Sequence, residues 1–115
     1  MKFLMSRTQN RILIPRLGEA ISYWQRSKGL LGTRALALDQ GLWVHRCNSI
    51  HTFFMNYPID VVFLNKDLRV VATKENIAAF RLTVPVWQAR SVVELAAGQI
   101  SALGIRVGEE LHVGT

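Results

Sequence analysis

Apolar positions along this chain fall in short runs broken by turn-forming residues, the pattern of strands rather than of long helices. The most informative run is Ile59-Asp60-Val61-Val62-Phe63-Leu64, set off from a second apolar stretch, Thr52 to Met55, by Asn56-Tyr57-Pro58, whose proline would break a helix. Alternation puts Asp60, Val62 and Leu64 on one face and Ile59, Val61 and Phe63 on the other, so a strand buried on both faces is expected. Residues 11–14, closed by Pro15, predict a first strand at a sheet edge. Residues 41–45 predict another, with Leu42 and Val44 on one side and Trp43 and His45 on the other. Residues 70–72, 91–95 and 111–113 complete the set, the first of them joined to the Phe63-Leu64 run by a turn at Lys66-Asp67 or a somewhat longer loop.

Two stretches read differently. Between Glu19 and Leu31, Ile21, Trp24, Lys28 and Leu31 recur at helical spacing ahead of Gly29 and Gly32, predicting one short N-terminal helix, and residues 33–38 could add a turn. Residues 99–103 predict a single helical turn stopped by Gly104. Residues 74–90, of mixed polarity around Pro85, predict an irregular excursion. Six or seven short strands with one helix imply a mainly β domain, a small barrel or sandwich folded over to hide its edges.

Composition narrows this picture in three respects. A chain of 115 residues, half hydrophobic and 19% charged, is one globular domain, residues 1–115. Cys47 is the only cysteine, which excludes an internal disulfide and favours a reducing compartment. No apolar run reaches the roughly 20 residues that span a bilayer, and the apolar start before Arg7 is too short for an export signal, so no membrane partner and a cytoplasmic location are expected. The net charge of +6 is uneven: residues 1–46 hold eight Lys or Arg against Glu19 and Asp39, and the remainder holds six of each sign. These positive charges are scattered and accompany no nucleic-acid motif, so any polyanion binding is expected to be weak and non-specific.

Candidate chemistry centres on Asp60. A carboxylate among Ile, Val, Phe and Leu is costly unless it is hydrogen-bonded or paired. Its nearest candidates in the chain are His51 and the turn amides at Asn56-Tyr57, with Thr52 completing a polar network. Glu94, between Val93 and Leu95, is a second acid in an apolar strand, with Arg26 or Arg90 as a counterion. A metal site would draw on Cys47 and His51, four apart, with His45, Asp60 and Glu94; without a Cys-x-x-Cys pair or a His-Glu-x-x-His helix, no metal and no cofactor are expected. A thiol mechanism would use Cys47 with His45 or His51 as base, although no nucleophile motif surrounds it. Trp24, Trp43 and Trp87 read as core or rim aromatics.

Five blocks taken together resemble a known family: Arg26-Ser27-Lys28-Gly29-Leu30-Leu31, Gly41-Leu42-Trp43-Val44, Ser49-Ile50-His51-Thr52-Phe53-Phe54-Met55, Pro58-Ile59-Asp60-Val61-Val62-Phe63-Leu64 and Val93-Glu94-Leu95-Ala96-Ala97-Gly98. Their order is similar to that of the domain of unknown function 192 family, over roughly residues 20–113. The commoner pattern of that family has Met at the place of Leu31 and Trp at the place of Phe54. The resemblance implies a small mainly β domain of jelly-roll-like character and assigns no reaction. The expectation is a non-catalytic binding or accessory module with a polar cleft near His51, Thr52, Asn56, Asp60 and Glu94, His45 and Cys47 being weaker candidates, and a small ligand or a protein as partner. A hydrolase-like or metal-assisted enzyme at the same cleft is the alternative, and a weak polyanion-binding module the third.

Overall fold

A computed structural model describes residues 2–20, 36–46, 48–49, 57–78, 83 and 85–115. They form seven strands and one short helix in the order β1 (Lys2–Ser6), β2 (Arg11–Ala20), β3 (Gln40–His45), β4 (Ile59–Leu64), β5 (Val70–Ile77), β6 (Ser91–Ala96), α1 (Gln99–Leu103) and β7 (Leu111–Gly114). All seven strands belong to one sheet, ordered β5-β4-β6-β3-β2-β1-β7. Every ladder is antiparallel except β2–β3, where Arg16 to Ala20 run parallel to Gln40 to Val44. The intervening chain has the length that a parallel pair needs for its crossover.

The sheet curls into a half-barrel whose outermost strands meet at one rim. Arg69 bridges Glu110, the Val70 amide donates to the Glu109 carbonyl at 2.9 Å, and the Leu111 amide donates to the Leu68 carbonyl at 2.9 Å. The expected concealment of the edges is achieved here, by pairing the start of β5 with the approach to β7. Curling sorts the apolar side chains into two clusters. Leu4, Ile14 and Leu17 join Val62, Leu64, Val93, Leu95 and Leu111 with Ile100 of α1 in one cluster; because it gathers residues from opposite ends of the strand order, it fills the concave face. Val44, Ile59, Val61, Phe63 and Val92 form the other, with Tyr57 and Ala89 from flanking loops. Strands β4 and β6 lie between the two clusters and every residue of both is buried, as the alternation within 59–64 predicts.

Several expectations need correction. Residues 11–14 are the start of a ten-residue strand inside the sheet, not an edge strand. Pro15 is tolerated because it falls where the β1–β2 register shifts: Leu4 pairs with Ile14 and Lys2 with Leu17, so three steps on β2 oppose two on β1. A bulge of this kind has no ladder hydrogen bond for proline to lose. The apolar start of the chain, read only as too short for an export signal, is β1, paired with both β2 and β7. The irregular excursion begins late, because β5 continues to Ile77. Glu19 and Ala20 end β2 rather than opening a helix, and the remainder of the expected N-terminal helix, residues 21–31, lies outside the described residues. The helical turn before Gly104 is present, with Gly104 in the left-handed conformation (φ 65°) that ends it.

Candidate functional site

Asp60 is fully buried, and its carboxylate is consumed by the backbone. Oδ1 accepts a hydrogen bond from the Asn76 amide at 2.8 Å and Oδ2 one from the Ile100 amide at 2.9 Å. Both donors are exceptional. Asn76 has φ 53° within a bulge where Ile59 pairs with Ile77 and Val61 with Lys74, so its N–H is turned out of the ladder. Ile100 is in the first turn of α1, whose N-cap is Gly98 and so offers no side chain to the free amides. Asp60 thus caps a helix from a neighbouring strand and pins a bulge, which resolves its cost in an apolar strand. These donors are not the Asn56-Tyr57 amides or His51; His51, Thr52 and Asn56 lie outside the described residues, as does Cys47.

Register separates the other candidates. Asp60 stands opposite Leu95 and Val61 opposite Glu94, and residues directly opposite share a face. Asp60 therefore faces the concave cluster and Glu94 the convex one, so the two acids are not one group. Glu94 is fully buried and its side chain is engaged, while Arg90, expected as a counterion, is exposed at the far end of β6. His45 shares the face of Asp60 but sits at the other end of the sheet, beside Ser91 and thus beside Leu64, a separation of about 13 Å along the strands. Its acidic partner is Glu19: Oε2 lies 2.5 Å from His45 Nε2, and Lys2 Nζ lies 3.8 Å from Oε1 of the same carboxylate. The His45 ring lies 4.0 Å, centroid to centroid, from that of Trp43, its neighbour on the same face, with the two planes tilted by 45°. Among the described residues no three His, Cys, Asp or Glu side chains gather as metal ligands, and no helix is long and apolar enough to cross a membrane.

One concave feature carries polar side chains that no other described side chain engages. A surface pocket of about 330 Å³ is lined, among the described residues, by Arg46, Asn48, Ala89 and Arg90. It lies where the β3–β6 ladder ends: His45 pairs with Ser91, and Arg46 and Arg90 are the residues just beyond the two strands. Backbone hydrogen bonds fix its walls. The Val86 amide donates to the Asn48 carbonyl at 2.8 Å, the Ala89 amide to the Val86 carbonyl at 3.0 Å, and the Arg90 amide to the Leu64 carbonyl at 2.7 Å. Ala89 is buried in the convex cluster and anchors the turn that carries Trp87, which is 81% exposed. Sequence reasoning missed this site because the two arginines are far apart in the chain, and only the β3–β6 register makes them neighbours.

The fold is shared with solved structures. A protein of unknown function from Novosphingobium aromaticivorans superposes with a TM-score of 0.79 at 20% identity, over 96% of this chain and 82% of that one. A candidate transcription regulator from Sinorhizobium meliloti gives 0.78 at 22% identity, over 97% and 91%. At such identities the likeness is one of fold alone. Closer in sequence is a UPF0127 protein of Thermococcus sibiricus, 30% identical over 112 residues, 94% of this chain and 72% of that protein. A UPF0127 protein of Pyrococcus furiosus is 40% identical over 64 residues, 56% of this chain and 54% of that protein. The family model described as DUF192, uncharacterized ACR, matches residues 5–113, and the chain belongs to that family.

Proposed function

We propose that this domain is a non-catalytic binding module that takes a small ligand in the pocket between Arg46 and Arg90. The carrying observation is the pocket itself: its walls are fixed by backbone hydrogen bonds, while among the described residues no side-chain hydrogen bond or ion pair engages Arg46, Asn48 or Arg90. Its volume falls at the small end of ligand sites, roughly 300–1,000 Å³. The buried acids that an enzyme could have used serve other ends, since Asp60 holds two amides and Glu94 faces the other side of the sheet. His51, Thr52 and Asn56, which follow Asn48 closely in the chain, are the polar side chains to vary next under this proposal.

A polyanion-binding role, which the description of the Sinorhizobium protein as a candidate transcription regulator brings to mind, has less support. Lys2 and Arg16 are paired with Glu19 and Asp39, and Arg7 and Arg11 are hydrogen-bonded to His112 and to Gln9 and Leu103, so the basic half does not present a free stripe there. The test is titration of isotopically labelled protein with a panel of neutral, cationic and anionic metabolites. Saturable shifts centred on the amides of Arg46, Asn48, Ala89 and Arg90 are expected. Shifts centred on another surface, or turnover of a panel compound, would overturn the proposal.

A further inference from the structure

We infer that this pocket is an oxyanion site, which holds the carboxylate or phosphate group of a small ligand between the guanidiniums of Arg46 and Arg90 with the Asn48 amide beside them. The inference rests on the pocket being the ligand site and adds the chemical class of what enters it. Three observations carry it.

The first is register. Arg46 and Arg90 stand one step beyond the His45–Ser91 pair that ends the ladder, so two like charges line one pocket. Such an arrangement is unfavourable by itself and becomes favourable with an anion between the charges. The second is the distribution of acids. Every Asp and Glu of the chain is among the described residues, and none forms an ion pair with Arg46 or Arg90. Lys2, Arg16 and Arg69 do find acids, in Glu19, Asp39 and Glu110. An anion seated between Arg46 and Arg90 would supply the counter-charge that the chain's own acids do not. The third is fit. Guanidinium forks match a pair of oxygens on a carboxylate or a phosphate, and the backbone carrying Arg90 is tied to β4 by its own amide. A pocket of about 330 Å³ admits the head of a metabolite and little more, which favours a small molecule over a polymer.

Calorimetric titration at low ionic strength tests the inference, with inorganic phosphate and glycerol 3-phosphate in one arm, acetate and citrate in the other, and glycerol as the uncharged control. Saturable binding in at least one arm and none by glycerol is expected; the arm that binds identifies whether phosphate or carboxylate is the group recognised. Arg90→Gln, and Arg46→Asn with a residue that tolerates the φ of 53° there, should each weaken binding about tenfold or more. Lys74→Gln, at an exposed position on the outer strand β5, should leave it unchanged. Circular dichroism melts establish that each variant folds. Absence of saturable binding by all four anions, or binding indifferent to both arginine variants, overturns the inference. A neutral compound seated in the pocket to the exclusion of anions would overturn it while leaving the small-ligand module standing; failure of every ligand class overturns both.

Discussion

Asp60 shows how a single side chain can be indispensable without being reactive. Its two oxygens accept from Asn76 and Ile100, so Asp60→Ala orphans the buried Ile100 amide at about 1–3 kcal/mol and releases the part-buried Asn76 amide at a smaller cost. Asp60→Asn retains one acceptor oxygen and turns an NH2 group toward the second amide, so its melting point should lie between those of Asp60→Ala and the parent. Thermal melts check the order; two variants that melt like the parent would show that the amides have other partners. Gly41 is constrained in the opposite sense, by the space it lacks. A Cβ there would lie 3.1 Å from Leu95 Cδ2 and 3.3 Å from both Leu17 Cδ1 and the Glu94 carbonyl, because β3 is sandwiched between β2 and β6. Gly41→Ala should cost about 1–3 kcal/mol through overpacking, read as a lower urea midpoint with an unchanged slope.

The β4–β5 hairpin and the β2–β3 pair illustrate how polar side chains shape whole elements. Residues 65–69 close the hairpin: Asn65 Oδ1 accepts from the Asp67 amide at 2.9 Å and the Arg69 amide at 3.0 Å, and Leu68 takes a φ of 60° where glycine is more usual. Leucine is kept there because its side chain packs on the concave cluster. Asn65→Ala should lower stability by about 1 kcal/mol, since water can reach the released amides; denaturant titration reads it. At the start of the parallel pair, Arg16 Nε donates to Asp39 Oδ2 at 2.7 Å and its amide to the Asp39 carbonyl at 3.1 Å. The Arg16 guanidinium holds the Asp39 carboxyl below its ordinary value, chiefly through that side-chain hydrogen bond. A depressed carboxylate contributes stability above its unfolded pKa and loses that contribution as pH falls through the folded value. The pair is exposed, so salt should shrink the effect. An NMR titration should place the Asp39 midpoint below that of a typical surface aspartate and move it upward as salt is added.

Across the whole molecule, stability is set by two strands buried on both faces and by a rim where the sheet's ends meet. Amides of β4 and β6, between the two apolar clusters, should be the slowest to exchange with deuterium. Val70 and Leu111 belong to the outermost strands and would ordinarily exchange quickly on one side. The bonds from Val70 to Glu109 and from Leu111 to Leu68 should nonetheless protect them. Fast exchange at both amides would mean that the half-barrel opens at this rim in solution.

The strand composition of β3, β4, β6 and β7, the two-sided burial of 59–64, the turn ending at Gly104 and the need of Asp60 for partners all follow from local pattern, because alternation and chain-breaking residues act over a few positions. Even the anomaly of Asp60 is visible in the sequence, though its partners are not: they lie 16 and 40 residues away, on a bulge and a helix that have no sequence relation to it. Alternation assigns faces within a strand but not which residue stands across from it, and a shift of one position would exchange the faces. That register, set by long-range packing, parts Asp60 from Glu94, turns Pro15 into a bulge, gives His45 the carboxylate of Glu19, and brings Arg46 beside Arg90.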